Sequence, residues 1–329
     1  MNKGKQASFP SISTVGTLKI LTSELSTKVW ARDRPLINRI SFEERSAQVA
    51  LAAPEGRSAS GLTFVSNGRS EKAQANVESI RLRHPALKQV ELFLADPLAT
   101  AAAISEAVAG EDLRDALIDV SSFRREELLM LLEVLRTTKP ERRKGCDLVY
   151  VSAGKMSDPL SGNVTQCRSV VGFAGEIWPS RPTRLVVLMG FEIPRARAII
   201  EAYEPRYLVL GMGRESESMS KELFERNKAF FQELKSNYDN VENTFEFSAR
   251  EPLSVAAELT EALSKGAQSN VVLAPLHTKL STIGVGLYAQ AHREVQVCYA
   301  EVGAYNEETY STTGGDSYVF SLSELFGEA

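Results

Sequence analysis

Cysteine is scarce in this chain of 329 residues. Cys146, Cys167 and Cys298 are too few for a disulfide framework and too widely spaced for a zinc knuckle, so they read as small buried residues and no metal is expected. No apolar run approaches the length that spans a bilayer, and the basic, polar start MNKGKQASFPSIST lacks the apolar stretch of a secretion signal. The sequence therefore predicts a cytoplasmic protein with no membrane partner. Neither sign of charge dominates, since 38 basic against 42 acidic side chains leave a net charge of −4. That balance excludes bulk attraction to nucleic acid or membrane but leaves room for a local basic pocket. Also missing are G-x-S-x-G, HExxH, paired CxxC and P-loop patterns, which removes sequence support for the familiar acyl-transfer, zinc-hydrolase and NTPase chemistries. Gly211-Met212-Gly213 starts like a dinucleotide fingerprint, but Ser216 stands where the third glycine belongs, and no cofactor is expected.

What is present is an alternation of short apolar runs with helical periodicity, in a chain 43% apolar and 24% charged. Strands are predicted near 61–66, 90–95, 116–120, 147–152, 184–189, 207–211, 245–247, 270–274, 295–299 and 317–320, with helices between them. The expected fold class is α/β: two tandem Rossmann-like units with mainly parallel sheets, related by an approximate internal two-fold. An internal duplication supports it, pairing GLTFVSNGRS with RLVVLMGFEI, VELFLAD with RYLVLGM, ALIDVSSF with VVLAPLHT, and CDLVYVSAG with VQVCYAEVG. The predicted organisation is an N-terminal extension over 1–56 beginning in a loose tail, a first half over 57–156, a Gly-, Ser- and Pro-rich crossing over 157–182, and a second half over 183–329.

Ligands of open parallel sheets bind beyond the carboxyl ends of the strands, where helix N-termini converge. In the second half that position holds His277, Thr278, Lys279 and Ser281. A lysine with two hydroxyls can hold a phosphate, and the alternative is a helix cap by Thr278 or Ser281. His277 is a general base if its pKa is near neutrality, and otherwise a loop hydrogen-bonder. In the first half Ser121 and Ser122, one of them the expected N-cap, precede Arg124 and Arg125. Those cations oppose the helix dipole, so either a bound anion or Glu126 and Glu127 must offset them. Asn67, Gly68 and Arg69 end the first clear strand, while Gly190 and Glu192 end its counterpart, with Arg195 positioned to pair with Glu192. Gly211, Tyr305 and Asn306 complete the ligand-facing set.

Tandem Rossmann-like units with Thr278-Lys279 entering a helix after the strand VVLA, and Gly284 within that helix, resemble the CARF and SAVED families of bacterial defence proteins. Here Leu276-His277 replace the glycines usual before that pair, and the first half carries Ser122-Phe123-Arg124 in its place. The resemblance implies a sensor of cyclic or linear oligonucleotide second messengers in anti-phage defence. Its partners are then a phosphate-bearing small molecule or oligonucleotide, a separately encoded protein effector and, in some cases, a second copy of the chain. Two other readings stay open: a metal-independent phosphodiesterase using His277, and a structural adaptor subunit of a defence complex.

Overall fold

The computed structural model describes residues 16–218 and 220–328. The expected loose tail over residues 1–10 lies outside them. The first unit runs β1 (Leu18–Leu21), α1 (Leu25–Lys28), β2 (Leu36–Ile40), α2 (Arg45–Leu51), β3 (Gly61–Ser66), α3 (Glu71–Arg83), β4 (Leu87–Leu92), α4 (Pro97–Ala109), β5 (Leu117–Asp119), α5 (Arg125–Thr137) and β6 (Asp147–Met156). After β7 (Val164–Ser169) the second unit runs β8 (Thr183–Leu188), α6 (Ile193–Tyr203), β9 (Tyr207–Gly213), α7 (Lys221–Asn237), β10 (Val241–Phe247), α8 (Pro252–Leu263), β11 (Asn270–Pro275), α9 (Lys279–Ala291) and β12 (Gln296–Val302). The chain closes with β13 (Ser311–Ser321) and α10 (Leu322–Leu325).

Seven strands form one sheet in the order β1-β13-β6-β5-β2-β3-β4, and six form the other in the order β10-β9-β8-β11-β12-β7. Strands β2 to β6 pair in parallel, as do β8 to β12. The two orders superpose as β2 on β8, β3 on β9, β4 on β10, β5 on β11 and β6 on β12. Each sheet then takes one antiparallel strand from the far side of the molecule. β7 follows β6 in the chain but pairs with β12, and β13 follows β12 but pairs with β6. The two connecting segments touch at a bridge between Ser161 and Tyr305.

Helices α4, α5, α8 and α9 lie between the sheets, where one core joins Phe64 and Ile118 of the first sheet to Leu129 and Leu132 of α5, Ile283 of α9 and Val186 of the second sheet. Separate smaller cores cover the outer faces, under α2 and α3 and under α6 and α7. Central strands such as β9 and β11 are largely apolar because both of their faces are covered, while the edge strands β4 and β10 carry exposed polar residues.

The α/β class and the two Rossmann-like units agree with the sequence reading, but the register of the duplication differs. Residues 1–56 contain β2 and α2, so the repeat begins there, and the first two strand matches of the sequence alignment are shifted by one strand. β2 reads Leu-Ile-Asn-Arg-Ile, with a polar pair in its middle that hides a fully buried strand. The crossing carries β7, unpredicted because Val164-Thr165-Gln166-Cys167-Arg168-Ser169 is only half buried. The last strand, expected near 317–320 in the second half, is a longer strand inside the first sheet between β1 and β6. β11 also continues through Pro275, which needs no amide of its own there, because Leu276 N donates to Leu188 O at 3.0 Å.

Gly284 fixes the spacing of α9 against α8. A Cβ added there would lie 2.5 Å from the Pro252 carbonyl oxygen and 2.5 Å from Val255 Cβ, neither of which can swing aside. Gly284→Ala is expected to cost about 1–3 kcal/mol of stability by overpacking. Urea denaturation of the variant checks this; an unchanged midpoint would show that α8 has room to yield.

Candidate functional site

The turns after β2 and β8 repeat one arrangement. Ser41-Phe42-Glu43-Glu44-Arg45 follows the first, and Gly190-Phe191-Glu192-Ile193-Pro194-Arg195 the second. Arg45 Nε lies 2.7 Å from Glu43 Oε2, and Arg195 Nη1 lies 3.1 Å from Glu192 Oε2. All four side chains are buried. Each carboxylate also accepts a hydroxyl from a connecting segment or its end: Ser311 Oγ donates to Glu43 at 2.8 Å, and Ser161 Oγ to Glu192. Buried charges survive only when paired and hydrogen-bonded in this way. Burial pushes the Glu43 carboxyl up, but the Arg45 guanidinium outweighs it and holds the pKa below the ordinary value.

A second repeat sits in the first turns of α5 and α9. Arg125 and Lys279 each occupy the first helical position, where a cation opposes the dipole. Arg125 Nη2 donates to the carbonyls of Leu276 and His277, at 2.8 Å each, and its Nε is buried without a partner. Neither Arg125 nor Lys279 has a carboxylate partner among the described residues. Burial, helped by Arg125 and Arg45, holds the Lys279 ammonium well below the ordinary lysine range against the opposing pull of Glu43 and Glu127.

These repeats face each other across a cleft at the carboxyl ends of both sheets. One arm, about 1080 Å³ to its open mouth, lies over the second unit and takes in Phe191, Glu192, Gly213, His277 and Tyr150. The other, about 730 Å³, lies over the first unit and takes in Phe42, Glu43, Gly68, Arg124 and Tyr299. Arg125, Lys279 and Tyr310 line both arms and form the waist between them.

The cleft gathers most of the residues singled out in the sequence, though with altered roles. Lys279, Arg124, Arg125, Ser122, Gly68, Arg69 and Tyr305 line the first-unit arm, and Ser122 and Lys279 share it. Thr278, Glu192 and His277 line the other. Thr278 is the N-cap of α9: its hydroxyl donates to Ala249 O at 2.7 Å and accepts from Ser281 N at 3.1 Å. Ser281 is buried, with its hydroxyl on Thr278 O. Ser121 and Ser122 are buried too, bound to Asp119 and to the Arg39 carbonyl, so neither caps α5. Arg124 is the N-cap, and Glu127 accepts its amide at 2.8 Å, but the Glu127 carboxylate is paired with Arg39 and that of Glu126 with Arg168, so the two acids expected to offset Arg124 and Arg125 are engaged elsewhere. His277 packs between Phe191 and Phe247, and burial together with Arg125 pushes its pKa down to about 4. Gly190 lies outside both arms and is needed for packing, since a Cβ would fall 1.8 Å from Leu276 O. Gly211 packs under Phe245 and Phe247. Asn67 accepts from Leu94 N at 3.1 Å and so braces the loop that lines the first-unit arm, while Asn306 donates to Pro159 O at 3.3 Å; neither side chain lines the cleft itself.

Sequence reasoning missed Glu43, Arg45, Tyr150, Tyr299 and Tyr310. The signal for the first two was Phe-Glu-x-Arg beside Phe-Glu-x-x-Arg, invisible while the repeat was aligned one strand out of step. No family model and no curated protein matches the chain. Among the described residues no group of acidic, histidine or cysteine side chains is arranged to hold a metal ion, and no helix is long and apolar enough to cross a membrane.

Asp119 lies behind the first-unit arm at the end of β5, paired in register with Asn38. Its Oδ2 is buried without a partner, and burial pushes its pKa up to about 7 against the hydrogen bonds from Ser121 and the charge of Arg45. The folded state thus keeps a proton that the unfolded chain releases near pH 4. Asp119's contribution is full below about pH 4 and is lost as pH rises through about 7. Asp119→Asn is expected to flatten the fall in urea midpoint between pH 5 and pH 8; an unaltered slope would mean the carboxyl is ionised throughout.

Proposed function

We propose that this protein is a ligand sensor that binds a phosphate-bearing small molecule, of the nucleotide second-messenger class, in the cleft between its two Rossmann-like units. The observation that carries this reading is the waist, where Arg125 and Lys279 meet with no carboxylate paired to either among the described residues. An anion is the group that such a pair lacks. Charge-assisted hydrogen bonds donated to a phosphate would also restore the Lys279 ammonium, which burial and the neighbouring arginines disfavour. The aromatic walls, Tyr150, Phe191 and Tyr310 among them, suit a stacked ring beside the phosphate. Binding at the waist engages both units and the connecting segment that carries Tyr310, so a change in their relative setting is what a separately encoded effector, or a second copy, would read. A role in anti-phage defence is the biological setting we favour, by resemblance to CARF and SAVED sensors. A hydrolytic reading has less support, because His277 is clasped by two phenylalanine rings and is a weak base.

Lys279→Ala and Arg125→Ala are each expected to weaken nucleotide binding about 10- to 100-fold, as the loss of one charge-assisted contact implies. Calorimetry with a nucleotide panel, joined to mass spectrometry of nucleotides released on denaturing the purified protein, measures this. Wild-type affinity retained in both variants would remove the waist from the reading.

A further inference from the structure

The two arms of the cleft grow from equivalent turns, yet they have diverged in chemistry. In the second-unit arm the walls are Leu160, Leu223, Phe224, Leu276 and Phe191, and its guanidiniums are largely neutralised. Arg45 is paired with Glu43, and Arg214 with Glu217 at 3.4 Å and with Glu258. Arg250, at the same wall, points a nitrogen at the Ser218 carbonyl. The turn after β9 brings its own acid, Glu217, next to its own cation, Arg214.

The matching turn after β3 brings none. There Ser66-Asn67-Gly68-Arg69-Ser70 carries Arg69, whose Nε meets only the amide oxygen of Gln74 at 3.1 Å and whose Nη1 is buried without a partner. Arg124 faces the same space. Its nearest carboxylate, Glu127 at 4.0 Å, is already held by Arg39 at 2.7 Å. Hydroxyls of Ser41, Ser66, Ser70 and Tyr305 line this arm beside Ile40, Leu94 and Phe42, so its wall is more polar than that of the other arm. Glu43 is spent on Arg45, which leaves Glu307 as the further acid on this wall.

We infer that the ligand has unlike ends: a ring in the apolar arm over the second unit, a phosphate at the waist, and further phosphate reaching Arg69 and Arg124 over the first unit. This rests on the phosphate reading of the waist and sharpens it to the class of linear nucleoside polyphosphates, as opposed to a cyclic dinucleotide with two equivalent ends. A two-fold ligand would set its second ring beside Phe42, Tyr299 and Tyr305 but against the guanidiniums of Arg69 and Arg124, which would then face a base and not a phosphate.

Calorimetry of the full chain with adenosine and guanosine mono-, di- and triphosphates, with cyclic di-AMP and cyclic di-GMP, and with inorganic pyrophosphate tests the assignment. The expected result is affinity rising about tenfold or more from mono- to triphosphate in at least one series. Arg69→Gln should cut that gain while leaving the monophosphate unchanged. Leu223→Trp, which fills the apolar arm from a half-buried helical position, should weaken nucleotides but not pyrophosphate. Equal affinity along the phosphate series, or a cyclic dinucleotide binding tighter than every triphosphate, overturns the inference and leaves the waist intact. Binding of none of these compounds overturns both readings together.

Discussion

The contact on which the molecule depends is that of α5 against α9. Gly286 of α9 faces Leu129 and Leu132 of α5 with no side chain of its own, so the helices approach closely at the centre of the shared core. Because both helices start at the carboxyl ends of their sheets, the same approach carries Arg125 and Lys279 to the mouth of one cleft. Packing energy from the apolar faces thereby holds two cations near each other that electrostatics alone would separate. The remaining polar architecture follows from this. Arg125 spends donors on the Leu276 and His277 carbonyls, and Glu43 and Glu127 lie near enough to temper the charge without neutralising it.

Much of the scaffold was legible in the sequence because buried parallel strands are short, continuous and apolar. β3 matches its predicted bounds, and the helices that follow it and β4 are capped by Ser70 and Asp96. What failed to show were elements whose surroundings override their pattern. β2 contains Asn38 and Arg39 yet lies wholly buried, because Asn38 accepts from Thr63 and Arg39 pairs with Glu127. Periodicity cannot anticipate partners supplied by other strands. Losing β2 cost the correct register of the duplication and, with it, the Glu43 and Arg45 corner.

The site was legible in position more than in role. Helix starts after β5 and β11 are where the cleft lies, as the strand-turn-helix pattern implied. Yet hydroxyls that looked available for a ligand are consumed locally: Thr278 caps, and Ser281, Ser121 and Ser122 bond within their own turns or to an adjacent strand. Short polar side chains beside a helix start satisfy the backbone first, and longer ones such as Arg124, Arg125 and Lys279 reach past it.

The exchange of β7 and β13 has a consequence for how the chain can be divided. Each half ends with a strand that completes the other half's sheet, so neither half is whole alone. A cut between β6 and β7 would leave the first sheet without β13 and maroon that segment on the other fragment, so the two units are tied together by backbone pairing as well as by their common core.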